Sequence, residues 1–227
     1  MEEYLYKYET HCHTKEVSRC GDSHVIELID EYVKAGYAGI VITDHFFNGN
    51  CGIDDELDWK IKVEKFVKPY YTAIEHAKRY DGFSVFFGWE YNYKGTEFLT
   101  YGLDENFLYN NPTLLSWSTK RYLNEVHKAG GFIIHAHPFR RRAYIKKLRF
   151  YPNYIDAVEV ANGGNYRDRD FEVDDLAENY AKELGLPGTR GTDCHNVKHI
   201  NGQGIVLNKR IKTFEELILA IREKDFR

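Results

Sequence analysis

The run Ala38-Gly39-Ile40-Val41-Ile42-Thr43, followed at once by Asp44-His45, decides how this chain is read. Its apolar residues do not alternate with polar ones, as expected for a strand buried on both faces in a parallel sheet. The polar pair stands at the strand's carboxyl end, where α/β folds gather their chemistry.

The same arrangement recurs on both sides of this run. Tyr4 to His13 reads as a strand ending in His11-Cys12-His13, and Phe83 to Trp89 as a strand followed by Glu90. Phe132-Ile-Ile leads into His135-Ala136-His137-Pro138, and Leu186 to Thr192 into Asp193-Cys194-His195. Shorter strands are expected at Phe98 to Tyr101, Ile155 to Val160 and Gly204 to Leu207. Helices are expected at Ser23 to Ala35, Asp58 to Tyr80 (with Pro69 as a kink or break), Ser118 to Ala129 and Phe171 to Leu184. A last helix opens on the capping-box pattern Thr213-Phe-Glu-Glu216. About seven βα units without an internal boundary predict one α/β domain over residues 1–227, a parallel barrel or wound sheet.

Residues i and i+2 of a strand share a face, so His11 with His13, Asp193 with His195, and His135 with His137 read as pairs able to converge on one cation. Cys12 and Cys194 lie between partners and are expected to point away. At Asp44-His45 only one residue faces the site. His45 is the expected ligand, with Asp44 orienting a neighbour or holding the turn. Glu90 ends an apolar strand, where a buried carboxylate is costly without a cationic partner; it is expected to bridge two cations.

In order, these segments read His-x-His, an acid, Thr-Asp-His, Gly-x-Glu, Ala-His-Pro-x-Arg and Thr-Asp-x-His. The series resembles the PHP family, the polymerase and histidinol phosphatase phosphoesterases, from His11 to His195. The resemblance implies a distorted (β/α)7 barrel and two or three divalent metal ions, zinc, manganese or iron. It implies His11, His13, Glu90 and Asp193 around a first metal, Glu90 and His137 around a second, and Asp22, His45 and His195 around a third. Glu97 stands where the family often has a further histidine for the second metal. Arg140, three residues after His137, is implied to bind substrate phosphate, with Glu90 and His137 the other residues expected to serve catalysis.

The implied activity is hydrolysis of a small phosphorylated metabolite or nucleotide by a metal-bound hydroxide. The alternatives are histidinol-phosphate or protein-tyrosine phosphatase activity on the same scaffold, or a non-catalytic metal-binding or regulatory barrel. No Ser-His-Asp pattern, P-loop or dinucleotide fingerprint competes.

The 227 residues are 43% hydrophobic, enough for a continuous core, and their net charge of −4 argues against general nucleic-acid binding. Local positive charge is concentrated in Arg140, Arg141, Arg142, Lys146, Lys147 and Arg149, read either as a rim attracting a polyanionic substrate or as a solvated helix face. The loop Phe46 to Glu56 is the expected substrate lid. No stretch suits a bilayer, the N-terminus lacks a signal-type apolar run, and the four cysteines show no C-x-x-C spacing. A cytoplasmic protein with reduced thiols is the expectation.

Overall fold

The computed structural model describes residues 5–227, so Tyr4 of the expected first strand lies outside the described residues. The described strands are β1 (Tyr6–Cys12), β2 (Tyr37–Ile42), β3 (Ser84–Tyr93), β4 (Thr96–Tyr101), β5 (Phe132–Ala136), β6 (Ala157–Asn162), β7 (Gly188–Gly191) and β8 (Ile205–Leu207). They form one sheet in the order β7-β6-β5-β4-β3-β2-β1-β8. The helices are α1 (Val25–Lys34), α2 (Trp59–Ala77), α3 (Glu105–Tyr109), α4 (Thr119–Lys128), α5 (Gly163–Asp168), α6 (Glu172–Leu184) and α7 (Phe214–Glu223).

The sheet curls into a nearly closed, distorted barrel. Cys12 at the end of β1 pairs in parallel with Cys194, just beyond β7, through His13 N–H to the Cys194 carbonyl at 2.8 Å. The buried carboxylate of Glu9 strengthens this seam. Its Oε1 accepts from the backbone of Thr10, His11 and Thr192, and its Oε2 from the Tyr32 hydroxyl. The first half of β1 instead pairs with β8, Tyr6 to Tyr8 opposite Leu207 to Ile205.

The sheet is not parallel throughout. β4 runs antiparallel to both β3 and β5, and β8 antiparallel to β1. No helix separates β3 from β4: only Lys94 and Gly95 join them, with φ 53° and 82°. Two consecutive positive φ values suit a tight two-residue hairpin, in which glycine carries the second at no steric cost.

β2 is buried along its whole length, as its unbroken apolar run requires. Helix α1 turns Val25, Leu28, Ile29 and Tyr32 onto the barrel wall, and α7 begins with the expected capping box from Thr213 and Glu216. Pro69 lies inside α2 without ending it. Leu217, Ala220 and Ile221 of α7 join Phe86, Tyr101 and Phe132 in one buried cluster. Those partners come from the starts of β3 and β5 and the end of antiparallel β4, so α7 closes the end opposite the mouth.

Candidate metal centre

The carboxyl ends of the parallel strands open on a cavity of about 630 Å³ lined by Cys20, His45, Glu97, Arg140, Asp193 and His195 among others. Glu90 stands at its base, 1% exposed. His11 Nε2 is 3.2 Å and His137 Nε2 3.0 Å from Glu90 Oε1, while His45 Nδ1 is 2.6 Å and His13 Nε2 3.7 Å from Glu90 Oε2. One carboxylate thus faces four imidazoles, each oxygen toward two of them.

Asp193 is the second hub. Its Oδ1 lies 3.2 Å from His13 Nε2, 3.7 Å from His11 Nε2 and 3.5 Å from His195 Nδ1. Its Oδ2 accepts from Arg140 Nη2 at 2.5 Å. Asp193 and His137 adopt φ values of 49° and 27°, rare for side chains other than glycine and a recurrent mark of functional sites.

That turn at His137 corrects the expected pairing with His135. His135 still lies in β5 and stacks on Phe98, with ring centroids 5.1 Å apart, whereas His137 has left the strand and enters the mouth. Burial and the neighbouring His137 push the His135 imidazole down to about 3, and it serves the core as a neutral ring.

Glu97 does reach the cluster. Because the Lys94-Gly95 hairpin reverses the chain, the beginning of β4 lies at the mouth, and Glu97 Oε2 comes 3.6 Å from His137 Nε2. Its other oxygen accepts from Asn92.

Asp22 is different. It is exposed and belongs to none of the groups of potential ligands, touching the site through its backbone N–H, which donates to the His195 carbonyl at 2.6 Å. An acid two residues after Cys20 can be counted in a sequence, but which of the two faces inward depends on a turn that spacing does not specify.

The donors fit divalent cations. Groups able to chelate form from His11, His13 and Asp193; from His45, Glu90 and Glu97; and from His13, His45 and His195, the ligand atoms of each lying within 4.8 Å of one another. His45 belongs to two of them. His13 Nε2, His11 Nε2, His45 Nδ1 and Glu90 Oε2 are buried and make no hydrogen bond, and even the 2.6 Å approach of His45 to Glu90 lacks hydrogen-bond alignment. Buried polar atoms that converge without hydrogen bonds are costly unless a cation occupies the centre.

Electrostatics agree with this arrangement. Burial alone would raise Glu90, but His45 and His11 hold it well below the usual carboxylate range. Burial likewise opposes the charge on Arg140, but Asp193 beside it raises the guanidinium further still.

Supporting carboxylates hold these donors. Asp44 accepts from the Thr14 N–H, the Thr14 hydroxyl and the Ser18 hydroxyl, and Ser18 Oγ lies 3.3 Å from His13 Nδ1. Asp44 therefore holds the turn and orients His13. Burial pushes its carboxyl up to about 6.

Glu159, on β6, was not anticipated. Its Oε1 is 2.9 Å from His11 Nδ1, and its Oε2 accepts from the His137 N–H. Its sequence signal, an acid inside Ala157-Val-Glu-Val-Ala161, is the one that marked Glu90.

The basic run Arg140 to Arg149 forms an irregular segment rather than a helix. Arg141 pairs with Asp170 and Glu172, and Arg142 with Asp168, so much of the rim's charge is already answered. The Phe46 to Glu56 segment is anchored by buried Phe46, Phe47, Cys51 and Ile53, which makes it a wall of the cavity rather than a hinged lid.

Residues 174–226 match the family model described as PHP-associated. No curated protein matches the chain. Among solved structures, the fold is similar to a two-domain protein from Bacteroides vulgatus containing a predicted PHP-like metal-dependent phosphoesterase, at TM-score 0.71 and 16% identity. That alignment covers 97% of this chain and 63% of the other, so this chain spans less than two thirds of that protein. An inferred metal-dependent phosphoesterase from Bifidobacterium adolescentis aligns at TM-score 0.59 and 16% identity over 96% of both chains. An amidohydrolase from Chromobacterium violaceum, with bound sulfate and no metal, aligns at TM-score 0.53 and 17% identity over 83% of this chain and 87% of that one. The fold is similar to that of PHP-like proteins along the described length, and by sequence residues 174–226 match a PHP-associated family.

Proposed function

We propose that the 227 residues form one PHP domain that hydrolyses phosphoesters with the help of two or three divalent cations held by the mouth cluster. The observation that carries this reading is the set of buried, unpartnered donor atoms on His11, His13, His45 and Glu90 that converge at the strand ends. The structural relatives described as phosphoesterases support the reaction class.

In this reading His11, His13 and Asp193 would hold one cation, Glu90, Glu97 and His137 a second, and His45 and His195 a third. Bound divalent cations would supply an activated water at neutral pH and neutralise phosphoryl oxygens. The chain's own residues do the rest. Glu159 and Asp44 fix the orientation of His11 and His13, so little reorganisation accompanies the reaction. Arg140, lining the cavity, would offer Nη1 to substrate phosphate, while Asn165 holds Nε and Asp193 and Asn162 hold Nη2. Zinc, manganese and iron all suit a mixed imidazole and carboxylate set. A small phosphorylated molecule is the fitting substrate for a mouth of this size.

The test is metal analysis of the purified protein together with turnover of an aryl phosphate and a panel of phosphomonoesters, phosphodiesters and phosphotyrosine peptides. The expected result is bound divalent metal and phosphate release that is lost in Glu90→Gln. Bound metal without hydrolysis of any ester would favour the non-catalytic barrel. Cleavage of amides instead would align the chain with its amidohydrolase neighbour.

A further inference from the structure

We infer that a cleft beside the metal cavity, on the far side of Arg140 and Arg142, takes the leaving group of the ester, and that this group carries an anionic end on an apolar body. The inference rests on the phosphoesterase reading above and names the substrate class which that reading leaves open.

The cleft has a volume of about 550 Å³, and Arg140 and Arg142 line both it and the metal cavity. One molecule can therefore lie across the two arginines with an end in each space. The walls come from the irregular segment after β5 and from Leu176 of α6. That segment is pinned in place. Ile145 N–H donates to the Arg142 carbonyl at 2.9 Å, and Arg149 Nη1 donates to the carbonyls of Lys147 and of Lys94 in the β3–β4 hairpin. Phe139 packs on Phe150 and Tyr180, with ring centroids 5.2 and 5.9 Å away.

Two features of the lining act together. Every charged residue in it is a cation, and the remaining side chains are apolar, Phe139, Ile145, Leu148 and Leu176 among them. Three of the cations are answered by carboxylates: Arg140 by Asp193, Arg141 by Asp170 and Glu172, and Arg142 by Asp168. Lys146 and Lys147 are not. Among the described residues neither ammonium forms a salt bridge, and Lys146 Nζ donates to the Ala143 carbonyl at 2.6 Å. Leu148 and Leu176 meanwhile stay 41% and 37% exposed.

Unanswered ammoniums beside exposed leucines complement a ligand with an acid group at the end of a hydrocarbon or aromatic body. A neutral leaving group would leave the lysines unused. A compact polyanion would leave the leucines in water.

The experiment compares n-alkyl phosphates with ω-carboxyalkyl phosphates of increasing chain length as substrates of the full chain with its divalent metal. The matching non-hydrolysable phosphonates serve as ligands in calorimetry. The carboxylated esters should reach a KM about tenfold lower at similar kcat, once the chain is long enough for the acid to meet both lysines. The gain should vanish when Lys146→Gln and Lys147→Gln are combined. It should reverse when Lys146→Glu and Lys147→Glu are combined. Equal KM for the two series, a gain already complete at the shortest chain, or a gain that survives loss of both lysines overturns the inference and leaves the phosphoesterase reading standing. Lysine-dependent binding of the carboxylated phosphonates without hydrolysis of either ester series overturns that reading and keeps the cleft as the binding site. Equal binding of both phosphonate series without hydrolysis overturns both.

Discussion

Under the proposed function Arg140 would tie substrate recognition to the metal site, because the guanidinium proposed to meet phosphate also holds Asp193. Arg140→Ala should therefore do two things: lower kcat at saturating substrate by about 100-fold or more, through lost transition-state charge stabilisation, and weaken metal retention by freeing Asp193. Arg140→Lys should restore retention more than turnover, since an ammonium supplies charge without the planar fork. Chelator dialysis and steady-state kinetics on the same preparations separate the effects, and normal values of both in Arg140→Ala would place the phosphate pocket elsewhere. Asp174 offers a cleaner pH test outside the cluster. Burial pushes its carboxyl up to about 6 from 3.8, so the folded state holds a proton that the unfolded chain has lost between those pH values. Stability contributed at this position accordingly falls as pH rises through that window and stays low above it. Asp174→Asn, which keeps an acceptor for Asn165, should stabilise the fold by about 1 kcal/mol at pH 8, solvent screening at this partly exposed site included, and by almost nothing near pH 4. Urea melts at the two pH values check the sign.

The elements that shape the mouth tolerate little change where backbones meet. A Cβ added to Gly191 at the end of β7 would sit 2.7 Å from His11 Cβ and 2.9 Å from Glu159 Oε1. Gly191→Ala should cost about 1–3 kcal/mol by overpacking and disturb the seam between β7 and β1, read as a lower denaturation midpoint with reduced metal content. An unchanged midpoint would mean that this wall yields more than its packing suggests. The elements themselves were largely legible in the chain. Apolar runs located β1, β2, β3 and β5 to within a few residues, and the polar residues at their ends did gather at one mouth. Direction was harder to read: Lys94-Gly95 is a hairpin signal only two residues long, and overlooking it made β4 look like one more parallel strand. Alternation of faces holds only while a strand continues, which is why it failed at His137, where the backbone turns to positive φ. Loop conformation was the least legible feature. Whether Cys20 or Asp22 faces inward is decided by hydrogen bonds to segments around residues 50 and 195. Glu159 emitted the same signal as Glu90, a charge in an apolar strand, but no neighbouring motif drew attention to it.

At the scale of the whole molecule, the cluster holds buried donor atoms without hydrogen bonds, a cost that bound cations would relieve. Cations present at about 1,000 times their dissociation constant would add about 4 kcal/mol to stability, or roughly 8–16 °C in Tm for a chain of this size. Calorimetry before and after chelation should show that loss and its recovery on adding metal back. A Tm indifferent to chelation would mean that the unpartnered imidazoles and carboxylates are satisfied in another way. The seam of the barrel has a different kind of consequence, one of timing. Thr10 and Arg190, joined across it, are 180 residues apart, and the first and last ligand motifs lie on its two sides. At about 5–20 residues per second, a ribosome needs on the order of 10–40 s to make that stretch, and through that time His11 and His13 emerge without Asp193 or His195 beside them. A growing chain would therefore have no complete centre to offer whichever cation is most abundant, and the choice of metal would be deferred until the segment through residue 195 has been made.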